Sequence, residues 1–290
     1  MSESGERTVS ASKDLMSQAQ ILDAVRRVYT SIPVGAGAAM AGRFYAAEEL
    51  ARLPAAAVDW SLGVANPIAH ADLRPGERVL DVGCGGGIDT VSAAHRVGPT
   101  GHVIGLDMLP EMCDRTRAAI AVAGTGAWCE VRLGQMEDIP LDDASIDVVV
   151  SNGVINLSPR KSRALAEMAR VLVPGGRLCV SDLTVEGDLP PEILTSESAW
   201  AGCISGALSE DVFANKLAAV GFTDIELFDR VPFGIDDVAL YPLFTPEIIE
   251  LMRERLAEDR QRAVCTSLIA RARKPLMSRT RAMKPPTLRP

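Results

Sequence analysis

The stretch Val79-Leu-Asp-Val-Gly-Cys-Gly-Gly-Gly87 decides the fold class of this chain of 290 residues. Its first half is a short apolar run, which is typical of a strand buried on both faces. Its second half is a glycine-rich turn, where the backbone can bend sharply and approach a ligand because no Cβ stands in the way. Residues 88–97 follow as a helical segment that leads to Gly98. The stretch therefore predicts a strand, a ligand-binding loop and a helix in succession.

Apolar runs and helical segments continue to alternate after this unit. Further strands are predicted at 102–107, 129–133, 146–150, 178–180, 224–229 and 264–270. Further helices are predicted at 110–123, 159–172, 209–220 and 246–262. Such alternation is typical of an open, mostly parallel sheet with helices on both faces. We therefore predict a Rossmann-like, doubly wound α/β fold with a seven-stranded sheet, an antiparallel last strand and an N-terminal helical cap.

Composition and charge argue against several functional classes. The formal net charge is −8, and an acidic protein is poorly suited to bind nucleic acid or an anionic membrane. The six cysteines include no CxxC pair, so neither a metal site nor a redox pair is expected. The chain shows no apolar signal sequence and no apolar run of membrane-spanning length, which favours a cytoplasmic protein. The expected partner is a small-molecule substrate.

The glycine pattern also indicates which cofactor the loop binds. A dinucleotide-binding loop has the pattern G-x-G-x-x-G, whose third glycine would fall at Ile88. The chain has G-x-G-x-G instead, preceded by Asp81. A carboxylate here repels a pyrophosphate but suits an ammonium or a sulfonium group, and S-adenosylmethionine carries both. Asp107 ends the next predicted strand 20 residues after Gly87, the distance usual for a carboxylate that binds ribose.

Motifs between about residue 45 and residue 230 resemble the class I S-adenosylmethionine-dependent methyltransferases, and more closely their arsenite methyltransferase-like branch. The matching segments are Tyr45-Ala-Ala-Glu-Glu-Leu50, Ser61-Leu-Gly-Val-Ala-Asn-Pro67, residues 79–87, Gly105-Leu-Asp-Met108, residues 151–159, Pro174-Gly-Gly-Arg-Leu178 and Ala201-Gly-Cys-Ile-Ser-Gly206. The resemblance implies an enzyme that transfers a methyl group from S-adenosylmethionine.

The resemblance also implies a set of cofactor-binding residues. They are Asp81, Gly83, Gly85, Gly87, Asp107, Met108, Met136, Glu137 and Asn152. In such enzymes Asp81 and the glycines would hold the methionine part, and Asp107 would bind the ribose hydroxyls with Met108 nearby. Met136 and Glu137 would bracket the adenine ring, although core packing for Met136 and a solvated position for Glu137 are alternatives. Asn152 would lie beside the methyl group.

The chain departs from this family in its cysteines. The resemblance implies that arsenite methyltransferases hold trivalent arsenic with three thiolates, the ligands that a soft element prefers. Val64 and Gly153 occupy two of these positions here, and only Cys203 remains. Together with Asn66, these three residues are predicted to line the acceptor pocket. Valine and glycine make that pocket larger or more apolar, which favours an organic acceptor.

Few residues are candidates for catalysis beyond alignment of the two substrates. Oxygen and nitrogen acceptors often need a general base. His70 follows the Asn66-Pro67 motif in the segment expected to cover the site, and is the candidate base, with a surface histidine as the alternative. Cys203 is the second candidate for contact with the acceptor. A pocket wall is the favoured interpretation of Cys203, and a substrate contact or a relic of the arsenic site are the alternatives.

Four segments are predicted along the chain. They are a flexible N-terminus (1–20), a helical cap that covers the substrate (21–73), an S-adenosylmethionine-binding methyltransferase domain (74–272) and a basic flexible tail (273–290). The leading hypothesis is a methyltransferase that acts on a small organic molecule, with specialised metabolism as the hypothesised setting. An arsenite methyltransferase with a reduced cysteine site and a non-catalytic regulator that binds S-adenosylmethionine are the alternatives. The acceptor atom and the oligomeric state stay open.

Overall fold

The computed structural model describes residues 17–33, 35 and 37–276. Within these residues the chain forms one seven-stranded sheet. The strands are β1 (Arg78–Val82), β2 (His102–Asp107), β3 (Cys129–Leu133), β4 (Ile146–Asn152), β5 (Leu172–Thr184), β6 (Thr223–Phe233) and β7 (Cys265–Arg273). Their order across the sheet is β3-β2-β1-β4-β5-β7-β6.

The direction of the strands confirms the predicted fold class. Strands β1 to β5 pair in parallel with their neighbours, whereas β7 is antiparallel to both β5 and β6. The chain order reverses between β1 and β4, so the connections that leave these two strands run to opposite faces of the sheet. Such a reversal leaves a crevice at the carboxyl ends of the strands, which is where doubly wound proteins bind ligands.

Helices cover both faces of the sheet and its carboxyl edge. Within the described residues the α-helices are α1 (Gln18–Ser31), α2 (Ala38–Phe44), α3 (Ala47–Leu50), α4 (Ala55–Asp59), α5 (Ile88–Val97), α6 (Pro110–Ala123), α7 (Lys161–Val171), α8 (Pro191–Leu194), α9 (Glu197–Ala201), α10 (Glu210–Ala219), α11 (Ile235–Val238), α12 (Pro246–Arg255) and α13 (Glu258–Gln261). Short 3-10 helices span Pro67–Ala69 and Ile155–Leu157. In this part of the chain no helix combines the length and the hydrophobicity that crossing a bilayer requires.

Three apolar clusters hold the layers together. Val79 and Leu80, neighbours in β1, are both fully buried and belong to clusters on opposite faces of the sheet, because successive side chains of a strand alternate between faces. The third cluster joins Val25 of α1, Ile193 of α8 and Met252 of α12. It covers the carboxyl edge, so the first helix is packed over the end of the sheet where a ligand would bind.

The structure corrects the predicted boundaries at both ends. Helix α1 begins at Gln18, inside the segment predicted to be flexible; residues 1–16 of that segment lie outside the described residues. The predicted tail begins inside the sheet, because the Lys274 amide donates to the Gly176 carbonyl at 2.9 Å and its Nζ donates to the Leu172 carbonyl at 2.7 Å. Residues 277–290 of the tail lie outside the described residues.

The single helix predicted over 246–262 is also wrong, because two helices cover this segment. Helix α12 ends where Leu256 adopts an extended conformation, with φ −93° and ψ 139°, and buries its side chain in the third cluster. The Gln261 side chain donates to the carbonyls of Arg253 and Leu256 at 2.8 and 2.9 Å. These bonds satisfy carbonyl groups that the end of a helix leaves without an internal partner.

Candidate active site

A cleft opens at the carboxyl ends of β1, β2 and β4, and it encloses about 1050 Å³ including its mouth. Its wall contains the glycine loop after β1, Asp107 at the end of β2 and Asn152 at the end of β4. Helix α1 covers the cleft with Leu22, Val25 and Tyr29, which share one helix face because they are three and four positions apart.

The glycine loop follows a path that larger residues cannot take. Gly83 has φ +80°, and its amide donates to the Leu106 carbonyl at 2.7 Å, so the loop is held against the end of β2. A Cβ at Gly83 would lie 2.4 Å from Cγ2 of Val154, well inside van der Waals contact. Gly87 begins α5 and packs against Thr116; it shapes the turn and does not line the cleft.

Asp107 is held in a defined orientation by backbone amides. Its Oδ2 accepts from the Gly85 amide and its Oδ1 accepts from the Leu109 amide, both at 3.0 Å. Burial raises the pKa of this carboxyl group above its ordinary value. Each oxygen keeps a further lone pair, so the side chain can accept hydrogen bonds from two neighbouring hydroxyl groups of a ligand.

Two more carboxyl groups are buried in the cleft, and only neutral groups donate to them. The Thr90 hydroxyl donates to Oδ2 of Asp81 at 2.5 Å, and the Tyr45 hydroxyl donates to Oδ1 of Asp89 at 2.6 Å. Burial raises the pKa of Asp81 to about 8, with repulsion from Asp89 as a further cause. Burial also raises the pKa of Asp89 to about 6. The cleft therefore favours a ligand that brings positive charge.

Asn152 uses its amide group to join the cap to the sheet. Its Oδ1 accepts from the Val64 amide at 2.9 Å and from the Ser181 hydroxyl at 2.8 Å. Its Nδ2 donates to the Ala65 carbonyl at 2.8 Å and to Oδ2 of Asp89 at 3.0 Å. Asn152 thus lines the cleft as predicted, while its polar atoms position the segment around residue 64 and the Asp89 carboxylate.

The structure also places Met108, Met136 and Glu137 on the wall of the cleft. Glu137 is only 5% exposed and accepts a short hydrogen bond from the Ser158 hydroxyl, so it does not occupy the solvated position considered as its alternative. Met136 packs against an apolar cluster and faces the cleft at the same time. The two methionines and Glu137 form a partly apolar wall that suits a flat ring with a polar edge.

A second, smaller compartment unites the three positions at which the family carries its arsenic-binding cysteines. Val64, Gly153 and Cys203 line a space of about 350 Å³, a volume that includes space open to solvent. The Cys203 thiol donates to the Gly153 carbonyl at 3.2 Å, and burial raises the pKa of the thiol well above its ordinary value. Aromatic and apolar side chains complete the wall, including Phe233 and Tyr241. We call this space the acceptor compartment.

The cleft and the acceptor compartment meet at three residues that line both, Tyr29, Leu62 and Gly153. Tyr29 is buried, and its hydroxyl donates to the Ala201 carbonyl at 3.3 Å. Within the described residues, no group of three His, Cys, Asp or Glu side chains could hold a metal ion. The shared wall makes the two spaces neighbours, so ligands in each can approach one another there.

Two predicted site residues lie elsewhere. His70 lines neither space; its ring contacts the edge of Phe228, with centroids 5.3 Å apart, and its Nε2 lies 3.8 Å from Asp229. Asn66 accepts from the Ala69 amide and donates to Glu49, so it caps a 3-10 helix and does not reach the acceptor compartment. The structure therefore places neither His70 nor Asn66 on the walls of the cleft or of the acceptor compartment, and both flank the 3-10 helix Pro67–Ala69 instead.

Several residues on these walls were not predicted from the sequence. They are Tyr29, Trp60, Leu62, Asp89, Tyr241 and Cys265. Asp89 could have been found, because it follows the glycine loop directly in the first turn of α5. Cys265 falls in the strand predicted over 264–270, and its burial at the start of β7 is compatible with a core residue as well as with a pocket wall. Tyr29 and Tyr241 stand in segments without a motif.

A family model described as a methyltransferase domain matches residues 73–226. The chain belongs to the methyltransferase domain family. The match covers β1 to β5. It includes the glycine loop and Asp107, which each form part of the wall of the cleft. Helix α1 and strand β7, which contribute Tyr29 and Cys265, lie outside the matched residues of this methyltransferase domain.

Similar proteins include arsenite methyltransferases and a nocamycin O-methyltransferase. The chain is 40% identical over 183 residues to an arsenite methyltransferase from Halobacterium salinarum, covering 63% of this chain and 46% of that protein. It is 36% identical over 163 residues to a nocamycin O-methyltransferase from Saccharothrix syringae, covering 56% of each. The chain spans about half the length of the curated relatives that it matches.

A solved structure extends the likeness to most of the chain. The crystal structure of an arsenic(III) S-adenosylmethionine methyltransferase from Chlamydomonas reinhardtii has a TM-score of 0.59 and 28% identity, over 88% of this chain and 74% of that one. The relatives confirm the predicted class I methyltransferase family, its arsenite methyltransferase-like branch and S-adenosylmethionine as the cofactor.

The residues of this methyltransferase domain fit that cofactor. The glycine loop leaves space that a Cβ at Gly83 would fill, and Asp107 offers two carboxylate oxygens suited to a ribose. The carboxyl groups of Asp81 and Asp89 have only neutral hydrogen-bond donors, which suits a ligand with a sulfonium and an ammonium group. We propose the individual contacts as follows. Asp81 holds the methionine part of the cofactor and Asp107 binds its ribose. Met136 and Glu137 lie against its adenine ring.

Proposed function

We propose that this chain is an S-adenosylmethionine-dependent methyltransferase whose acceptor is a small organic molecule. One observation carries the proposal: the cofactor cleft shares Tyr29, Leu62 and Gly153 with an apolar, aromatic-lined compartment. An acceptor in that compartment would face the cleft across this shared wall. Recognition of small molecules in such compartments relies on apolar contact with few polar groups, which suits an organic ring or chain.

The chemistry of the compartment disfavours arsenite as the acceptor. Trivalent arsenic needs thiolates, but Val64 and Gly153 supply none. The Cys203 thiol is buried and donates to a backbone carbonyl, and its pKa is raised well above the ordinary value because burial disfavours the charged form. A protonated thiol is a weak ligand. Cys203 therefore acts as a wall of the compartment.

Alignment and exclusion of water are the contributions of the protein to the reaction. When bound, the cofactor supplies a methyl group on a positively charged sulfur, which is already activated for displacement. Methyl transfer forms a bond from the acceptor atom to the methyl carbon and breaks the carbon–sulfur bond, whose electron pair stays on sulfur. Helix α1 excludes water by covering the cleft with Leu22, Val25 and Tyr29. Such positioning can supply a large part of the rate enhancement.

No described side chain at the shared wall can serve as a strong general base. The hydroxyls of Tyr29 and Tyr241 donate to the carbonyls of Ala201 and Gly63. Burial raises the pKa of both tyrosines above the ordinary value. The acceptor atom should therefore be nucleophilic without help from the protein, such as a thiolate, an enolate or an acidic phenol, and its proton would leave to solvent.

The test is an acceptor screen with a methyl donor labelled in its methyl group. Purified full-length protein is incubated with thiols, phenols, enolisable ketones and arsenite, and labelled products are identified by mass spectrometry. We expect transfer to an organic acceptor and little or none to arsenite. Binding of the donor without transfer to any acceptor would instead support a non-catalytic regulator.

Arsenite remains the second candidate, for a specific reason. Cys265 lines the same compartment as Cys203, so two thiols face one space, and the relatives include arsenite methyltransferases. Robust arsenite methylation by the wild type that is lost in both Cys203→Ser and Cys265→Ser would support this candidate over an organic acceptor. Replacement of Cys179, a buried cysteine outside the compartment, provides the control.

A further inference from the structure

Asp89 stands in the cofactor cleft, and the motifs of the chain did not assign it a role. Its side chain is 5% exposed. The Tyr45 hydroxyl holds Oδ1 at 2.6 Å, and Asn152 Nδ2 holds Oδ2 at 3.0 Å. Asn152 Nδ2 also lies 3.1 Å from the Tyr45 hydroxyl, so the three side chains form one closed network. Two partners from separate parts of the chain, Tyr45 and Asn152, thus orient a carboxylate on the wall of the cleft.

The surroundings of Asp89 and Asp81 contain no compensating positive charge within the described residues. Glu49 of α3 repels Asp89, and Asp107 of β2 repels Asp81. Arg96 of α5 is directed to Glu49, with Nη2 3.7 Å from Oε1. The other titratable groups that face the pair are neutral: Tyr45, Cys84 and Cys129.

A cation supplied by the ligand is the remaining way to balance these carboxylates. Charges interact strongly in a site of low dielectric constant, and an unpaired buried carboxylate is costly. The methyl donor and its demethylated product share an ammonium and a carboxylate group and differ in the charge on sulfur. Only the donor carries the second positive charge, so the donor offsets the charge of the two carboxylates more fully than the product does.

We propose that Asp89, acting with Asp81, is a further specificity-determining residue that selects the positively charged methyl donor over its neutral-sulfur product, and that donor uptake releases a proton to solvent. The inference rests on the proposed function. Once the methyl group has left, the sulfur is neutral and the carboxylates take up a proton from solvent. The product is then held less tightly than the donor, which favours its release.

The sign of the pH dependence follows from the raised pKa values of the two carboxyl groups. Below their pKa values of about 8 for Asp81 and about 6 for Asp89, the groups are protonated and do not attract the sulfonium. Donor affinity should therefore rise as pH increases through this range, by up to about tenfold per pH unit for one proton released. Product affinity should rise less steeply.

Isothermal titration calorimetry on the full chain tests this directly, with S-adenosylmethionine and S-adenosylhomocysteine as probes. Dissociation constants are measured across the same pH range, in two buffers of different ionisation enthalpy, so that the number of released protons is obtained independently of activity. We expect the donor-to-product affinity ratio to increase with pH in the wild type. In Asp89→Asn the ratio should be smaller and its pH dependence flatter.

Two further variants separate a specific role from a structural one. Asp114→Asn, an exposed aspartate of α6, should behave as the wild type. Tyr45→Phe removes a hydrogen bond that lowers the pKa of Asp89, so the rise in donor affinity should move to higher pH. The amino group of each ligand titrates identically against every variant, so it cancels when variants are compared.

The outcomes distinguish this inference from the proposed function. Equal pH slopes for donor and product in the wild type, or an Asp89→Asn protein that keeps the wild-type ratio, would overturn the inference while leaving the methyltransferase proposal intact. If neither probe bound at any pH, both the inference and the proposed function would be overturned.

Discussion

The cofactor cleft and the acceptor compartment touch one another but are built in opposite ways. The polar groups of the cleft come from the ends of three neighbouring strands and the loops after them, between residues 81 and 158. The compartment is assembled from segments as far apart as Tyr29 and Cys265. Four carboxyl groups line the cleft, whereas the described wall of the compartment carries no charged side chain. The cleft thus recognises charge and the compartment recognises shape. A substitution in one region can therefore leave the other region unchanged.

The largest effect is expected from Gly83→Ala, a substitution that alters the cleft and not the acceptor compartment. The new Cβ would lie 2.4 Å from Val154 at a φ of +80°, so strain and overlap together should cost about 2 to 5 kcal/mol. Urea unfolding measures the loss, and calorimetry should detect no donor binding. Gly98→Ala is the matched control, because its φ is +66° and nothing lies within 4 Å. Equal losses in the two variants would show that Gly83 contributes only its backbone conformation.

Asp107→Ala should have the next largest effect. It removes both carboxylate oxygens, and hydrogen bonds to charged groups contribute about 1.5 to 3 kcal/mol, so donor affinity should fall about 10- to 150-fold. Calorimetry with the donor measures this change. Asp114→Ala, on the exposed side of α6, should bind the donor as the wild type does. Unchanged affinity in Asp107→Ala would remove the ribose contact from the proposed site.

Cys203→Ala should have a smaller effect and should affect only the acceptor compartment. The truncation removes a wall contact with the acceptor that corresponds to about 1 kcal/mol, so the acceptor KM should rise about fivefold while the donor Kd stays unchanged. Cys179→Ala removes a comparable buried thiol that donates to the Pro67 carbonyl at 3.3 Å. It should change neither constant. A large change of the donor Kd in Cys203→Ala would show that the two regions are not separable.

The smallest effect is expected from His70→Ala. The imidazole is 36% exposed and lines neither region, so kcat should stay within about twofold and the free energy of unfolding within about 0.5 kcal/mol. Steady-state kinetics with the acceptor identified by the screen checks this. A loss of kcat by orders of magnitude would restore His70 as a base and would require a rearrangement of the segment around Pro67.

The two regions also differ in how well the sequence predicts them. Strands β1, β2 and β3 and helices α5 and α6 have the predicted bounds, because long apolar or helical runs end at glycine or proline. The glycine loop and Asp107 could be predicted from their spacing in the sequence. One strand–loop–helix unit contains the loop, and Asp107 ends the strand that follows this unit. His70 and Asn66 were placed wrongly because a motif shows that residues are neighbours in sequence but not which way the chain turns.

The sequence by itself determined the fold class and the glycine loop, and it led to the proposals that Asp107 binds ribose and that two of the three cysteines implied by the resemblance are absent, since each depends on local conformation or on residue identity. Only the tertiary structure decided that Tyr29 joins the two spaces, that Cys265 shares the compartment with Cys203, and that Asp89 stands beside Asp81 without a counter-charge. These relations depend on packing between distant segments. Burial and charge balance arise only when those segments meet.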